Sequence, residues 1–386
     1  MEAAKVIRKS FKFRIYPTKS QVEKLEMTLD LCRELYNAAL QERRDAWKLN
    51  RISVSYFDQQ NQLPEIKKFR NDLKGVHSQI LQDVLKRVDK TYKSYFERKQ
   101  KGIKAGCPHF KGENRFNSFC YAQSGFSLDE NKLTLSKIGK VKIKLSRDVI
   151  GKVKTCTIKS EAEKWFVIFS VETFAEVLPK TNKQIGIDAG IESFMTLSDG
   201  TQIENFRFYE SAQKKIRLAQ RRVSRREKYS NRWKKVQAQV SIIHAKIKNQ
   251  RNDFQHKVST QLVKYFDLIA IEKLNVLGMS KGILSKQITD VAWSGFFEML
   301  RYKAECADKK LIEVNPSGTS QICICGEKVE KTLKIRTHHC DKCGYENHRD
   351  IVSAQVILKL GLGHSLKDIT YLGGESVSLE SSSVAV

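Results

Sequence analysis

Two apolar runs in this chain each meet a carboxylate where a buried strand has no room for one: IGIDAG carries Asp188 and LIAIEKL ends on Glu272. An acid among buried residues is costly unless it is paired, hydrogen-bonded or bound to a cation. Any fold of this chain must therefore bring those strand ends to something that compensates them. A third acid, Asp350, opens the helical stretch HRDIVSAQVIL, where the helix dipole alone would already favour a negative charge. Between the second and third acids the pattern reads as a strand, a helix from about residue 290 to 309 and a further strand, KLIEVNP. Strands separated by helices argue for an α/β layer.

Taken in order, strand, strand and helix, the three acids suit a chemistry that needs converging oxygens. Phosphodiester hydrolysis requires an activated water and a stabilised leaving oxygen, and two Mg²⁺ ions about 4 Å apart serve both when carboxylates bridge them. Mg²⁺ is a hard ion that takes carboxylate oxygens, so no histidine or cysteine is needed at such a centre. The intervals between the acids allow the fold to join them but do not require it.

The charge balance points to a polyanion. Lys and Arg total 70 against 43 acids, a net charge of +27. That excess is far more than solubility needs and is the electrostatic footprint of nucleic acid binding. It is densest between Lys214 and Lys235, where eleven basic residues meet one acid, Glu227. Lys214, Lys215, Arg217, Arg221, Arg222, Arg225 and Arg226 are the candidate contacts, with Tyr229 and Trp233 as candidates for base stacking. An apolar seam from Val236 to Leu262 continues at helical spacing, so a solvated helical hairpin is the plain structural alternative. No 18-residue apolar run is present and the basic first residues lack a signal-peptide pattern, so a cytoplasmic protein without membrane contact is expected.

The first half changes texture twice. KSFKFRIYP alternates as a half-exposed strand, and Thr18 with Gln21 forms a capping-box pattern that opens a helix. A second helix is expected from Ser78. From Ala105 to Glu172 short alternating segments such as KVKIKLS, punctuated by glycine, suggest a small antiparallel barrel that the first strand joins, with 18–104 as a helical insertion. The serine-rich tail from Gly373 is expected to be disordered.

Five cysteines stand alone and read as core fillers. Cys323, Cys325, Cys340 and Cys343 fall together and are each paired, with Gly326 and Gly344 behind the pairs, as in the two knuckles of a zinc ribbon. Four thiolates at about 2.3 Å make a closed structural Zn²⁺ site. The first knuckle has one spacer residue instead of two, which is expected to compromise the amides that point at sulfur, and His338 or His339 stands near enough to replace a weak ligand.

The strings GIDAGIESFMTLSDG, LIAIEKLNVLGM and HRDIVSAQVIL resemble the three RuvC motifs of the TnpB family, the insertion-sequence-encoded RNA-guided nucleases. RNDFQHKVSTQLVKYFD, NPSGTSQIC and the opening FKFRIYPTKSQVEKLEMTLDLCRELYNAAL are similar to that family as well, so the resemblance covers nearly the whole chain. The CxC knuckle departs from the family's CxxC. The resemblance implies an RNase H-like RuvC nuclease domain at 182–315 and 346–372 and a zinc ribbon at 316–345. It also implies a wedge-like barrel at 1–17 and 105–178 and a helical recognition insertion at 18–104. It implies a guide RNA, a double-stranded DNA target read beside a short adjacent motif, and cleavage by Asp188, Glu272 and Asp350, with Arg349 as a candidate phosphate contact. A protein that acts as a monomer in its complex, in a prokaryotic cytoplasm and on the nucleoid, goes with that reading. A compact type V CRISPR effector and a non-cleaving RNA-guided DNA-binding repressor remain as alternatives; the three intact acids count against the second.

Overall fold

The computed structural model describes residues 5–113, 115–282, 284–330 and 335–363. The tail from Gly373 lies outside them. Contacts divide the chain after Phe174 into two units.

In the first unit, β1 (Val6–Tyr16) is followed by helices α1 (Lys19–Asn50), α2 (Tyr56–Phe69) and α3 (Ser78–Gln100). Six strands come next: β2 (Ser118–Tyr121), β3 (Phe126–Asp129), β4 (Lys132–Leu135), β5 (Gly139–Lys144), β6 (Lys152–Glu161) and β7 (Lys164–Phe174). The strand order is β2-β6-β7-β1-β5-β4-β3. The two outermost strands are consecutive in the chain and joined by only four residues, so the sheet curls into a nearly closed barrel. β1 lies in its middle, antiparallel to β7 from Val6 to Ile15 and to β5 beyond Arg14. Strand alternation sends Phe13, Ile15, Val141, Ile143, Val167 and Phe169 inward, all buried. The stripe Ile80, Val84, Leu85 and Val88 of α3 shares that core with Leu25, Leu35 and Leu40 of α1.

Thr18 and Gln21 exchange both capping-box hydrogen bonds at the start of α1. α2 is an element that periodicity does not announce. It buries only Gln59 and Leu63, too sparse a stripe to read, although its own box, Ser55 with Asp58, is present in the sequence.

The second unit contains β8 (Gln184–Asp188), β9 (Ser193–Leu197), β10 (Gln202–Glu204), α4 (Phe208–Ser224), α5 (Asn231–Tyr265), β11 (Leu268–Glu272), α6 (Val276–Met279), α7 (Ser285–Val291), α8 (Trp293–Ala307), β12 (Lys310–Val314), β13 (Thr337–His339), β14 (Glu346–His348) and α9 (Arg349–Gly361). Five strands form a mixed sheet, β10-β9-β8-β11-β12. β8, β11 and β12 are parallel, and β9 and β10 are antiparallel additions. The helix expected from about 290 to 309 is α8; Ala292, in a left-handed conformation (φ 55°), separates it from the short α7.

The two faces of the parallel strands are covered differently. Ile185, Ile187, Ile269 and Ile271 join Phe254, Leu262, Phe296 and Leu300 of α5 and α8 in one core. Gly186 and Ala270, of opposite parity, face α9 instead. A Cβ built on Gly186 would lie 2.0 Å from the carbonyl oxygen of Ala354, and one on Gly361 would lie 2.6 Å from the Ala270 side chain. Glycine on both sides is what lets this helix lie against the sheet.

Candidate active site and cysteine centre

Strand parity and register together place the three acids. Asp188 and Glu272 each follow a residue of the α9 face by two positions, so both side chains point to that face. β11 pairs with β8 in a register running from Leu268 opposite Gln184 to Ile271 opposite Ile187. One further step sets Glu272 beside Asp188, on strands about 4.8 Å apart. α9 runs back along the same strands from its first turn, where Asp350 sits, towards Gly361 on Ala270. Three carboxylates that are 84 and 78 residues apart in the chain thus converge at one end of the sheet.

Their mutual influence appears in their acidity. Burial pushes the Asp188 carboxyl up to about 8, and the negative charges of Glu272 and Asp350 add to the effect; Arg349 and the Ala189 amide act the other way. Glu272 is also raised by burial, against a hydrogen bond from Thr319 that favours its ionised form. Without a bound cation, Asp188 keeps its proton at neutral pH because burial disfavours its charged form and the carboxylates of Glu272 and Asp350 reinforce that preference.

Three neighbours complete the site. Thr319, 2% exposed, donates its hydroxyl to Glu272 Oε1. Arg336 bridges Glu192 (2.5 Å) and Asp350 (3.9 Å), and its carbonyl accepts from the Arg349 amide at 2.7 Å. His348 caps α9, its Nδ1 facing the Asp350 amide at 3.4 Å. Thr319 and Arg336 escape a search for apolar strands broken by acids, since each lies in an irregular segment. Gly186 was detectable: a glycine inside a strand marks close approach.

The four cysteines meet as their spacing predicts. Their sulfurs all lie within 4.8 Å of one another. Cys323 to Cys343 is 3.6 Å and Cys325 to Cys340 is 3.7 Å. A tetrahedral ion with metal–sulfur bonds of about 2.3 Å has edges of about 3.8 Å, so this cage has the dimensions of a zinc site. The short CxC knuckle is not compromised in the way its spacing suggests. The Cys325 amide still points at the Cys323 sulfur and the Glu327 amide at that of Cys325, as Lys342 and Cys343 do for Cys340. Gly326 (φ 86°) and Gly344 (φ 69°) make both turns possible. His338 is buried beside Tyr345 and His339 faces Asp341 and Glu346; neither belongs to the cage. Among the described residues the three carboxylates do not close into a comparable single-ion cage. Substituting Cys340 by Ala should remove the equivalent of one zinc per chain by metal analysis and lower the melting temperature; retained zinc would show that the cage is not the binding site.

α4 and α5 pack on each other as a hairpin, with Ile216 and Ala219 of α4 and Val240 and Ile247 of α5 buried. Lys214, Lys215, Arg217, Arg221, Arg222, Arg225 and Arg226 are all exposed, and among the described residues none of them meets a carboxylate. Tyr229, 61% exposed, stands at the tip with its ring 5.6 Å from that of Trp233. No described helix is long and apolar enough to cross a membrane.

Comparison with known proteins bears on the whole chain. Residues 157–282 match the family described as "Probable transposase" and residues 293–357 the "Cas12f1-like, TNB domain". Residues 1–51 match a helix-turn-helix domain, although the described residues of that span form one strand and one uninterrupted 32-residue helix. Among solved structures, the mini-RNA-guided endonuclease CRISPR-Cas_phi3 is similar at 11% identity, covering 96% of this chain and 93% of that one, with a TM-score of 0.45. A protein of Escherichia coli K12 named as an RNA-guided DNA endonuclease is 31% identical over 91% of this chain and 92% of its own length. A protein of the same name from Streptomyces pristinaespiralis is 34% identical, covering 93% of this chain and 90% of the relative. With that identity sustained along nearly the full length of both, the chain belongs to the TnpB family.

Proposed function

We propose that this chain is an RNA-guided DNA endonuclease whose second unit is an RNase H-like RuvC nuclease. The observation that carries the reading is the convergence of Asp188, Glu272 and Asp350 at one sheet end, with Asp188 pushed up to about 8 by burial and, beyond that, by the charges of the other two acids. A bound cation lets all three carboxylates ionise together, which burial and mutual repulsion otherwise oppose. The cluster's donors are carboxylate oxygens alone, the set that Mg²⁺ prefers. When bound, the divalent ions supply activation of water and stabilisation of the leaving oxygen. Asp188, Glu272 and Asp350 would hold them, with Asp188 in its ionised form. Arg349, next to Asp350 in the chain, and Arg336, 3.9 Å from that carboxylate, are the candidates to orient a scissile phosphate. The cysteine ribbon at 316–345 holds zinc as a structural element, because four protein ligands leave no open position for catalysis.

The partners follow from charge and kinship. The relatives are named as RNA-guided DNA endonucleases. The exposed basic face of α4 and α5 suits a phosphate backbone, and the barrel with its insertion at 18–104 is read as the wedge and recognition parts that hold the guide. Target sequence is then read by base pairing and the protein reads shape and a short duplex motif. The test is made on the protein purified with its RNA. That RNA should share one defined sequence, and duplex DNA matching its variable end should be cut in Mg²⁺. Replacing Arg221, Arg222, Arg225 and Arg226 by Gln should weaken nucleic acid binding about tenfold or more at moderate salt and flatten its salt dependence, by up to about three in the log–log slope for single strands. Heterogeneous RNA with no matched cleavage would refute the reading.

A further inference from the structure

The catalytic acids are not held by the sheet alone. Glu272 is the last residue of β11 and pairs across the ladder with Val314, the last residue of β12. Beyond Val314 the chain does not leave. Asn315 Oδ1 accepts the Ser317 amide at 3.1 Å, Pro316 restricts the next position, and Gly318 turns left-handed at φ 84°. Residues Thr319–Gln321 then form a single 3-10 turn, closed by the Gln321 amide on the Gly318 carbonyl at 2.9 Å. The outcome of that reversal is that Thr319, five residues past the end of β12, comes back to the strand end it left.

Its hydroxyl is committed there. Thr319 is 2% exposed and donates to Glu272 Oε1, with the Pro316 carbonyl a second acceptor at 3.2 Å. A buried hydroxyl of this kind restricts the carboxylate to one orientation and stabilises its ionised form, the form that binds a cation. The same turn packs on α9 and runs two residues later into Cys323. The Ile324 carbonyl, between the two cysteines of that knuckle, accepts Lys359 Nζ of α9 at 3.0 Å. The knuckle, the turn and the helix bearing Asp350 are therefore one connected body.

From these contacts we infer that Thr319 is a positioning residue for divalent-metal binding, orienting Glu272 from the turn that leads into the cysteine ribbon. The inference rests on the reading of the three acids as a metal centre. Hydrogen-bond partners that orient metal-binding carboxylates typically carry 10–100-fold of metal affinity. Glycine at 318 and asparagine at 315 have a reason in this light, since both build the reversal that returns the hydroxyl to Glu272.

The test uses the full chain, freed of nucleic acid and loaded with zinc, titrated with Mn²⁺ and followed by the free-ion electron paramagnetic resonance signal. Thr319→Val keeps the volume and removes the hydroxyl; it should weaken Mn²⁺ binding about 10-fold or more, and Thr319→Ser should restore it to within about threefold. The midpoint of the pH dependence of binding should move upward in Thr319→Val, because the ionised Glu272 has lost its donor. In a Glu272→Gln background the Val substitution should have no further effect, since the hydroxyl acts through that carboxylate. Wild-type Mn²⁺ affinity and pH midpoint in a folded Thr319→Val protein would overturn the inference alone, provided that Glu272→Gln weakens binding. If Thr319→Val does not fold, Thr319→Cys and the Ser variant decide, the inference failing if both bind Mn²⁺ alike. Unchanged Mn²⁺ binding in Glu272→Gln would remove the metal centre itself, and the inference with it.

Discussion

Replacing Asp188 by Ala is expected to slow DNA cutting on the order of 10³-fold or more, while affinity for guide RNA and matched DNA changes by less than about threefold. The separation follows from where the residue stands. Asp188 lies at the end of β8 among carboxylates, so it adds nothing attractive to a phosphate backbone; its contribution arises only with a cation between them. Single-turnover cleavage and filter binding measured on the same preparations decide the matter, and cutting at the wild-type rate would remove the site. A second expectation concerns pH. The folded-state carboxyl of Asp188 is raised to about 8, against about 4 in an unfolded chain. Between those values the folded protein holds a proton that the unfolded chain has released, so this group's contribution to stability is full below about pH 4 and is lost as pH rises towards 8. In magnesium-free buffer Asp188→Asn should therefore raise the melting temperature more at pH 8 than at pH 5. Added Mg²⁺ should reverse the order by stabilising only the wild type. Equal shifts at both pH values would mean that the Asp188 carboxyl is not raised in the folded protein.

Gly186→Ala is expected to cost about 3 kcal/mol or more, the upper range for overpacking a tight interface. The added methyl would sit 2.0 Å from the Ala354 carbonyl and 2.8 Å from Leu358 Cβ, both on a helix that cannot yield locally. Relief requires α9 to lift from β8 as a body, and α9 carries Asp350. At about 2–4 °C per kcal/mol for a unit of this size, the melting temperature should fall by roughly 10 °C, with loss of cleavage in whatever remains folded. Gly75→Ala is the control. No atom lies within 4 Å of a Cβ there, and its backbone is outside the left-handed region. If Gly186→Ala melts with the wild type, the close packing of α9 on the sheet is not what positions the third acid.

How much of this was legible beforehand can be judged residue by residue. The three acids were found because each breaks a pattern, and a broken pattern is a local signal. The capping box at Thr18 and the pairing of the cysteines were local in the same way. α2 was missed because its buried stripe is two residues long. The CxC knuckle was misjudged: one spacer residue suggested misdirected amides, yet the backbone supplies them from the residues that follow. Thr319 and Arg336 carried no signal of their own, since a threonine or an arginine in a loop is ordinary until something stands opposite it.

Strand periodicity, the charge excess and the kinds of ligand available were settled by the order of residues, because each depends on neighbours a few positions apart. Only tertiary structure decided that Glu272 stands beside Asp188 rather than one residue out of step, that α9 comes close enough to add Asp350, and that the Thr319 hydroxyl returns to the end of β11. Those depend on a parallel register and on two glycines meeting across a helix–sheet contact. Such pairings join residues tens of positions apart, whose partners no local pattern specifies.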